Sequence, residues 1–375
     1  MGLTDKSLYY SLIVLSIAAF ICTIYLWPKL APKKVPHVVG RFGILLLTNI
    51  LIVTTLGIAL NNYGGFYTSW SDAFGIQSSS TTLKDAANVS TTSVTRISAA
   101  DLKNGKVSKN GTVTIERVLN GKASGDSGHV WIVLPKSAVT AIKKFGSSAD
   151  LSHFKVLQFL PGFPGTPLGW INRLHIVSFL ESAWKAKHLP ASIAVLTDTN
   201  LQSGLDGECM NIPGGPQIET WLDEDVHTFA TSWLGVPATD WVVLGSSTGG
   251  WCAAELAIRH PNHFIGGASI AGYFTPQPSK SFDTKTRTQL LQEYDLRARV
   301  KSQHPAVSIF ATVAPSDHGS YYQTIHFVND MQSLLPIGTL TLKGQGHNFD
   351  AWLPAVAPAL RWAGNLFTKA GTHGL

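Results

Sequence analysis

The 375-residue sequence predicts an α/β fold, a mainly parallel sheet flanked by helices, preceded by a hairpin of two membrane-spanning helices. Three observations carry this. Two long uncharged apolar runs lie between residues 8 and 60. From residue 111 onward, short continuous apolar runs alternate with helix-like stretches, the pattern of βαβ units. Charged residues make up only 14% of the chain while 45% is hydrophobic, against about 25% charged in an ordinary soluble domain.

The first run, Leu8 to Trp27, has roughly the 20 residues that a bilayer-crossing helix needs. The second, Phe42 to Leu60, is broken only by Asn49 and threonines. Neither has the polar face of a core helix, and a cleaved signal peptide accounts for one run, not two. The loop between them carries Lys29, Lys33, Lys34 and Arg41 and no acid. By the positive-inside rule it stays cytoplasmic, which puts everything after Leu60 on the other side of the cell membrane. Tyr63, Phe66, Tyr67 and Trp70 follow at once and suit an interfacial aromatic belt. Residues 1–76 are therefore expected to be a membrane anchor, and the Ser/Thr/Asn/Lys/Ala-rich stretch 77–110 an extended linker.

The domain at 111–375 opens on an alternating strand, Thr112–Leu119, a turn at "NGKASG", and a returning strand, His129–Pro135. Six apolar runs follow: Lys155–Pro161, Ala191–Asp198, Trp241–Ser246, Phe264–Gly272, Ala306–Pro315 and Gly338–Gly344. Their continuity fits strands covered on both faces. Helices are expected at Trp170–Lys187, Ile218–Leu234, Gly249–Arg259, Ser320–Leu334 and Asn348–Phe367. The polar stretch from Gly272 to Gln303 reads as an irregular insertion, either over the site or simply solvated.

The net charge of +6 is not gathered into a stripe with interleaved aromatics, which argues against nucleic acid. Three cysteines, Cys22, Cys209 and Cys252, without a CxxC pair, give neither a zinc pattern nor a disulfide framework. Whether Cys209 and Cys252 pair is left open.

The chemistry concentrates at "VVLGSSTGGW", Val242–Trp251. Gly245-Ser246-Ser247-Thr248-Gly249 fits G-x-S-x-G with Ser247 as nucleophile, between an apolar strand and an alanine-rich helix, as a nucleophile elbow requires. The competing reading is a serine that merely caps the helix. His347 and Asp317 each follow a predicted strand, so they share the sheet edge of Ser247, in the order serine, acid, histidine. His260 and His263 lie too close in sequence to turn back, and Asp283 and Asp295 have no strand before them. Oxyanion donors are expected from the backbone N–H of Thr248, just after the nucleophile, and of Phe163 in the Gly/Pro-rich loop "FLPGFPGTPLGW".

Residues 111–375 resemble the esterase D-like family of α/β-hydrolases, which includes secreted mycolyltransferases, feruloyl esterases and S-formylglutathione hydrolases. The likeness rests on "LPGFPG", "LGSSTGGWCAAELAIRHPNHF" and "GQGHNFDAW". It rests also on "DGECMNIPGGPQIETWLDEDV", which is similar to actinobacterial members. The resemblance implies an α/β-hydrolase fold, a Ser247–Asp317–His347 triad, an oxyanion hole at Phe163 and Thr248, and no cofactor or metal. Together with the apolar hairpin it implies a membrane-anchored serine esterase or acyltransferase acting on acyl esters, a lipid or glycolipid among the candidates. The chain departs from the secreted mycolyltransferases in its hairpin and in offering Asp where they use Glu. The alternative from another class is an inactive, membrane-tethered binding or scaffold protein on the same fold.

Overall fold

The computed structural model describes residues 2–3, 5–31, 34–64, 70–73, 88–90, 95–343 and 346–372. They fall into two units, Met1–Ser79 and Ser80–Leu375.

The first unit is a helix pair, α1 (Lys6–Leu26) and α2 (Val35–Gly64), each long and apolar enough to cross a bilayer. The hydroxyl residues that interrupt the apolar runs face each other. Ser16 Oγ and Thr55 Oγ1 lie 2.9 Å apart, as do Thr23 Oγ1 and Thr48 Oγ1. In hydrocarbon such pairs satisfy groups that have no water to turn to. Helix α2 starts seven residues before Phe42, because Pro36 in its first turn forfeits no helical hydrogen bond. Phe66, Tyr67 and the Tyr63 side chain lie outside the described residues, whereas Trp70 opens a helical turn, Trp70–Ala73.

The second unit is built on one sheet. Its strands are β1 (Asn88–Ser90), β2 (Lys106–Val107), β3 (Val113–Asn120), β4 (Ser127–Leu134), β5 (Lys155–Leu160), β6 (Ser192–Thr197), β7 (Trp241–Ser246), β8 (Phe264–Ile270), β9 (Ser308–Val313) and β10 (Ile337–Thr341). They are ordered β1-β3-β4-β6-β5-β7-β8-β9-β10, with β2 on β3. From β6 to β10 every pairing is parallel, while the β3–β4 hairpin joins antiparallel through β4–β6. The hairpin and the parallel runs therefore take the places their patterns predict.

Side chains alternate across each strand, so one apolar run feeds two cores. Trp241 and Val243 point into the first, with α5 (Val226–Leu234), α6 (Thr248–Arg259) and α9 (His318–Met331). Val242 and Leu244 point into the second, under α4 (Ile176–Lys185) and α10 (Phe349–Thr372). Helix α3 (Lys136–Phe145) escapes the pattern reading because only Ala138, Val139 and Ile142 of its ten residues are buried.

Two expectations are corrected. Part of the stretch read as a linker belongs to the folded unit. The Ile97 amide donates to the Trp233 carbonyl at 2.8 Å, Ile97 and Leu102 enter the first core, and β1 and β2 pair with β3. Single apolar residues in a polar stretch show no periodicity, yet each fills a hole in a core already built. Residues 77–87 and 91–94 lie outside the described ones. The insertion is not irregular either. It folds as α7 (Thr284–Glu293) and α8 (Leu296–Gln303), burying Leu290, Leu296 and Val300. Asp283 and Asp295, considered above only as acids, are their N-caps, accepting from Thr286 N and from Arg297 N and Ala298 N.

Helix α6 ends in a buried ionic cluster. Arg259 Nε donates to Glu219 Oε1 at 2.6 Å and lies 3.0 Å from Glu255 Oε1. With that N–H already given to Glu219, the fully buried Glu255 has no hydrogen bond of its own among the described residues. Its attraction to Arg259 is Coulombic, and burial together with the Glu219 charge pushes its carboxyl well above the ordinary range. Burial would raise Glu219 too, but bonds to His260 and Arg259 hold it down at about 2. Burial would lower His260, but bonds to Asp223 and Glu219 push it up to about 10. His260 and His263 both engage Asp223, at 3.0 and 2.7 Å, and so serve the scaffold. Arg259→Ala takes the guanidinium away from both glutamates and leaves Glu219 with His260 as its ion-pair partner. It should lower unfolding free energy by about 3–5 kcal/mol, read by urea denaturation of the full chain in detergent.

Candidate active site

Ser247 sits at the turn between β7 and α6 with φ 57° and ψ −126°, a conformation that costs a non-glycine residue energy and persists only when its surroundings enforce it. They do so through both sides of the peptide chain. The Ser247 amide donates to the Ile270 carbonyl at 2.9 Å, and the Ser247 carbonyl accepts from Gly250 N at 2.8 Å and Trp251 N at 3.2 Å. The flanking glycines are needed because backbone passes through the space of their missing side chains. A Cβ on Gly245 would lie 1.7 Å from the Gly249 carbonyl oxygen, and one on Gly249 2.3 Å from that of Leu160.

The structure brings the three residues of the expected triad together. Ser247 Oγ is 2.7 Å from His347 Nε2, and His347 Nδ1 is 2.7 Å from Asp317 Oδ2. Asp317 lies at the start of α9, where its amide donates to the Ala314 carbonyl and Ser320 Oγ donates to its Oδ2 at 2.8 Å. Burial alone would raise its carboxyl. The hydrogen bond and charge of His347, with the Ser320 bonds, outweigh that and hold it below the ordinary range. An ionised acid on Nδ1 fixes a tautomer whose Nε2 is free to accept the serine proton. His347 stands just before α10, edge-on to Trp352 at 4.8 Å between ring centres. Asn348 caps that helix by accepting from Ala351 N at 3.0 Å. Gly344 and Gln345, earlier in the histidine loop, lie outside the described residues.

The loop after β5 passes directly beside the serine. A Cβ on Gly162 would lie 2.8 Å from Ser247 Cβ and 3.4 Å from its Oγ, which puts the next residue, Phe163, at the site. Thr199 Oγ1 donates to the Pro161 carbonyl at 3.2 Å and Asn200 Nδ2 to that of Gly165 at 2.6 Å, tying the loop to the segment after β6. Thr248 opens α6, so its N–H is one of the donors that a helix cannot satisfy internally. Among the described residues neither the Phe163 nor the Thr248 amide is given to a backbone acceptor.

Pattern reading missed a polar cluster on the Thr248 side. Thr248 Oγ1 donates to Asp206 Oδ2 at 3.2 Å. Tyr273 Oη lies 3.5 Å from Thr248 Oγ1 and is hydrogen-bonded to Glu208, which also accepts from the Gln277 amide. Only the segment "DGECMNIPGG" drew attention to Asp206 and Glu208, and nothing in it announces their partners. The same segment is cross-linked to α6, because Cys209 and Cys252 form a disulfide with Cα atoms 5.6 Å apart. The sequence left that pairing open, since two cysteines 43 residues apart carry no signal until the loop packs on the helix.

A second cluster contains ligand-type side chains. The donor atoms of Glu219, Glu255 and His260 lie within 4.8 Å of one another. The guanidinium of Arg259 already stands between the two carboxyls there, occupying a cation's position.

No protein-family model and no curated protein matches the chain. Solved structures do. A ferulic acid esterase matches at a TM-score of 0.58 and 19% identity, over 68% of this chain and 98% of its own. An S-formylglutathione hydrolase from Agrobacterium tumefaciens matches at 0.55 and 12%, over 70% and 97%. A fluorophosphonate-binding serine hydrolase from Staphylococcus aureus matches at 0.53 and 15%, over 67% and 98%. At these identities the likeness concerns the fold. The second unit has the α/β-hydrolase fold, shared with the esterases that its motifs resemble.

The disulfide closes a 43-residue separation, for which chain entropy gives roughly 4 kcal/mol and measured bonds typically 2–4. Cys252→Ser should lower the denaturation midpoint accordingly, and adding reductant should lower the wild type to the same value while leaving the mutant unchanged.

Proposed function

We propose that the chain is a membrane-anchored serine esterase or acyltransferase working through Ser247, His347 and Asp317. The observation that carries this is the continuous contact from Ser247 Oγ through the His347 ring to Asp317, 2.7 Å at each step, beside the Gly162–Phe163 loop. His347 Nε2 takes the serine proton as Oγ attacks an ester carbonyl. The developing oxyanion is received by the Phe163 and Thr248 amides. His347 returns the proton to the leaving alkoxide, giving an acyl-enzyme that water or an acceptor alcohol resolves. Asp317 remains ionised throughout and stabilises the imidazolium. This route asks for no metal or organic cofactor.

Two features favour an extracytoplasmic site on the outer side of the cell membrane. The α1–α2 pair is long and apolar enough for a transmembrane hairpin, and the Cys209–Cys252 bond suits an oxidising compartment. An acyl ester in or near the bilayer, a lipid or glycolipid, is then the substrate class within reach. The ferulic acid esterase and S-formylglutathione hydrolase matches agree with ester chemistry on this fold.

A fluorophosphonate probe tests the reading on the full chain in detergent. Wild type should label and Ser247→Ala should not. Asp317→Asn should keep the fold and reduce ester turnover by roughly 10³- to 10⁴-fold. A folded wild type that neither labels nor turns over a nitrophenyl ester would remove the enzyme reading and leave the scaffold one.

A further inference from the structure

The Thr248 side of the site is held by a second set of side chains. Segment Asp206–Cys209 approaches α6 from one direction, with Glu208 and Cys209 both in the left-handed region at φ 49° and 57°. The segment after β8 approaches from the other, so closely that a Cβ on Gly250 would lie 3.0 Å from Gly272 Cα. Tyr273 stacks on Trp251 with ring centres 6.0 Å apart and planes 6° apart, and Trp251 Nε1 donates to the Glu208 carbonyl at 2.9 Å. Three contacts then run in series: Glu208 to Tyr273, Tyr273 to Thr248 and Thr248 to Asp206.

Counting protons gives the series a direction. The tyrosine and threonine hydroxyls supply two hydrogens, and the Tyr273–Thr248 step, at 3.5 Å the longest of the three, takes one only where a carboxyl supplies a third. Glu208 is 3% exposed, whereas Asp206 is half-buried and its Oδ1 already accepts the Glu208 amide at 3.2 Å. We infer that Glu208, in its neutral form, heads a one-way hydrogen-bond chain through Tyr273 and Thr248 to Asp206, and that this chain positions Thr248 for catalysis. Glu208 Oε1 donates to Tyr273 Oη, Tyr273 donates to Thr248 Oγ1, and Thr248 donates to Asp206. The other Glu208 oxygen accepts from the Gln277 amide.

Glu208 is thus a positioning residue that acts through Thr248. The inference rests on the reading above that the Thr248 amide receives the oxyanion. Burial favours the neutral form, pushing the Glu208 carboxyl up to about 8 against the opposing bonds from Tyr273 and Gln277. The titratable groups that face it are Asp206, on its own segment, and Tyr273. Helix α6 contributes Thr248 and Trp251, neither of which is charged. As pH rises through that value Glu208 loses its proton, Tyr273 turns its hydrogen to Glu208, and Thr248 loses its donor.

The test measures turnover of nitrophenyl butyrate by the full chain in detergent, with melting curves to confirm folding. Glu208→Ala should cut kcat roughly tenfold at neutral pH with KM within about twofold, the pattern of a displaced group that acts in the transition state. Glu208→Gln, whose amide donates to Tyr273 and accepts from Gln277, should recover the rate to within about twofold of wild type. Wild type should then lose activity above about pH 8 along a limb that Glu208→Gln lacks. Tyr273→Phe should lose roughly tenfold whichever residue stands at 208.

The inference is overturned if Glu208→Gln is as slow as Glu208→Ala, if the wild-type and Glu208→Gln profiles coincide, or if Tyr273→Phe matches wild type. Those failures, in an enzyme that still labels at Ser247, remove the positioning chain alone. A wild type that neither labels nor turns over removes the esterase reading and this inference with it.

Discussion

Everything at the site follows from how closely three pieces of backbone approach one another at the end of β7. The strand end, the first turn of α6 and the loop after β5 meet where Gly245, Gly249 and Gly162 leave no side chain. That crowding is what holds Ser247 in a strained conformation. The same approach brings the Gly162 loop and the opening turn of α6 up to the serine. The proposed nucleophile and oxyanion donors are therefore not independently placed; one packing constraint governs the segments that carry them.

The fold deals with buried charge in two different ways on either side of α6. At its C-terminal end, Arg259 and His260 balance Glu219 and Asp223, so those charges stay buried because they are mutually compensated, while burial pushes the Glu255 carboxyl up beside them. At its N-terminal end no cation pairs with Glu208 among the described residues, and burial favours its neutral form instead. The first arrangement fastens α6 to α7 and to the segment before α5. The second leaves a titratable group one hydroxyl away from Thr248, where a proton can matter to chemistry.

How much of this was legible depends on whether a feature leaves a periodic or local trace. Strands covered on both faces give unbroken apolar runs, and Trp241–Ser246 was read to the residue. The elbow was legible because its glycines and serine are consecutive. Helices α7 and α8 were not, although Asp283 and Asp295 are ordinary capping residues, because only Leu290, Leu296 and Val300 mark their buried sides. The packed half of the supposed linker failed for the same reason: Ile97 and Leu102 are single contacts in a polar stretch.

By itself the sequence determined the α/β alternation, the two apolar spans, and the order in which the Gly162 loop, Ser247, Asp317 and His347 occur. Each of these is written in neighbouring residues or in the order of strands, and a parallel sheet opens the loops after its strands on one edge. Only the tertiary structure decided which groups touch. It placed β6 between β4 and β5, closed Ser247 onto a histidine 100 positions away, joined Cys209 to Cys252, and gathered Asp206, Glu208 and Tyr273 around Thr248. Contacts between distant segments have no local signature. They exist because packing α6 against β7 and β8 leaves its opening turn facing loops that the chain reaches long before and long after it.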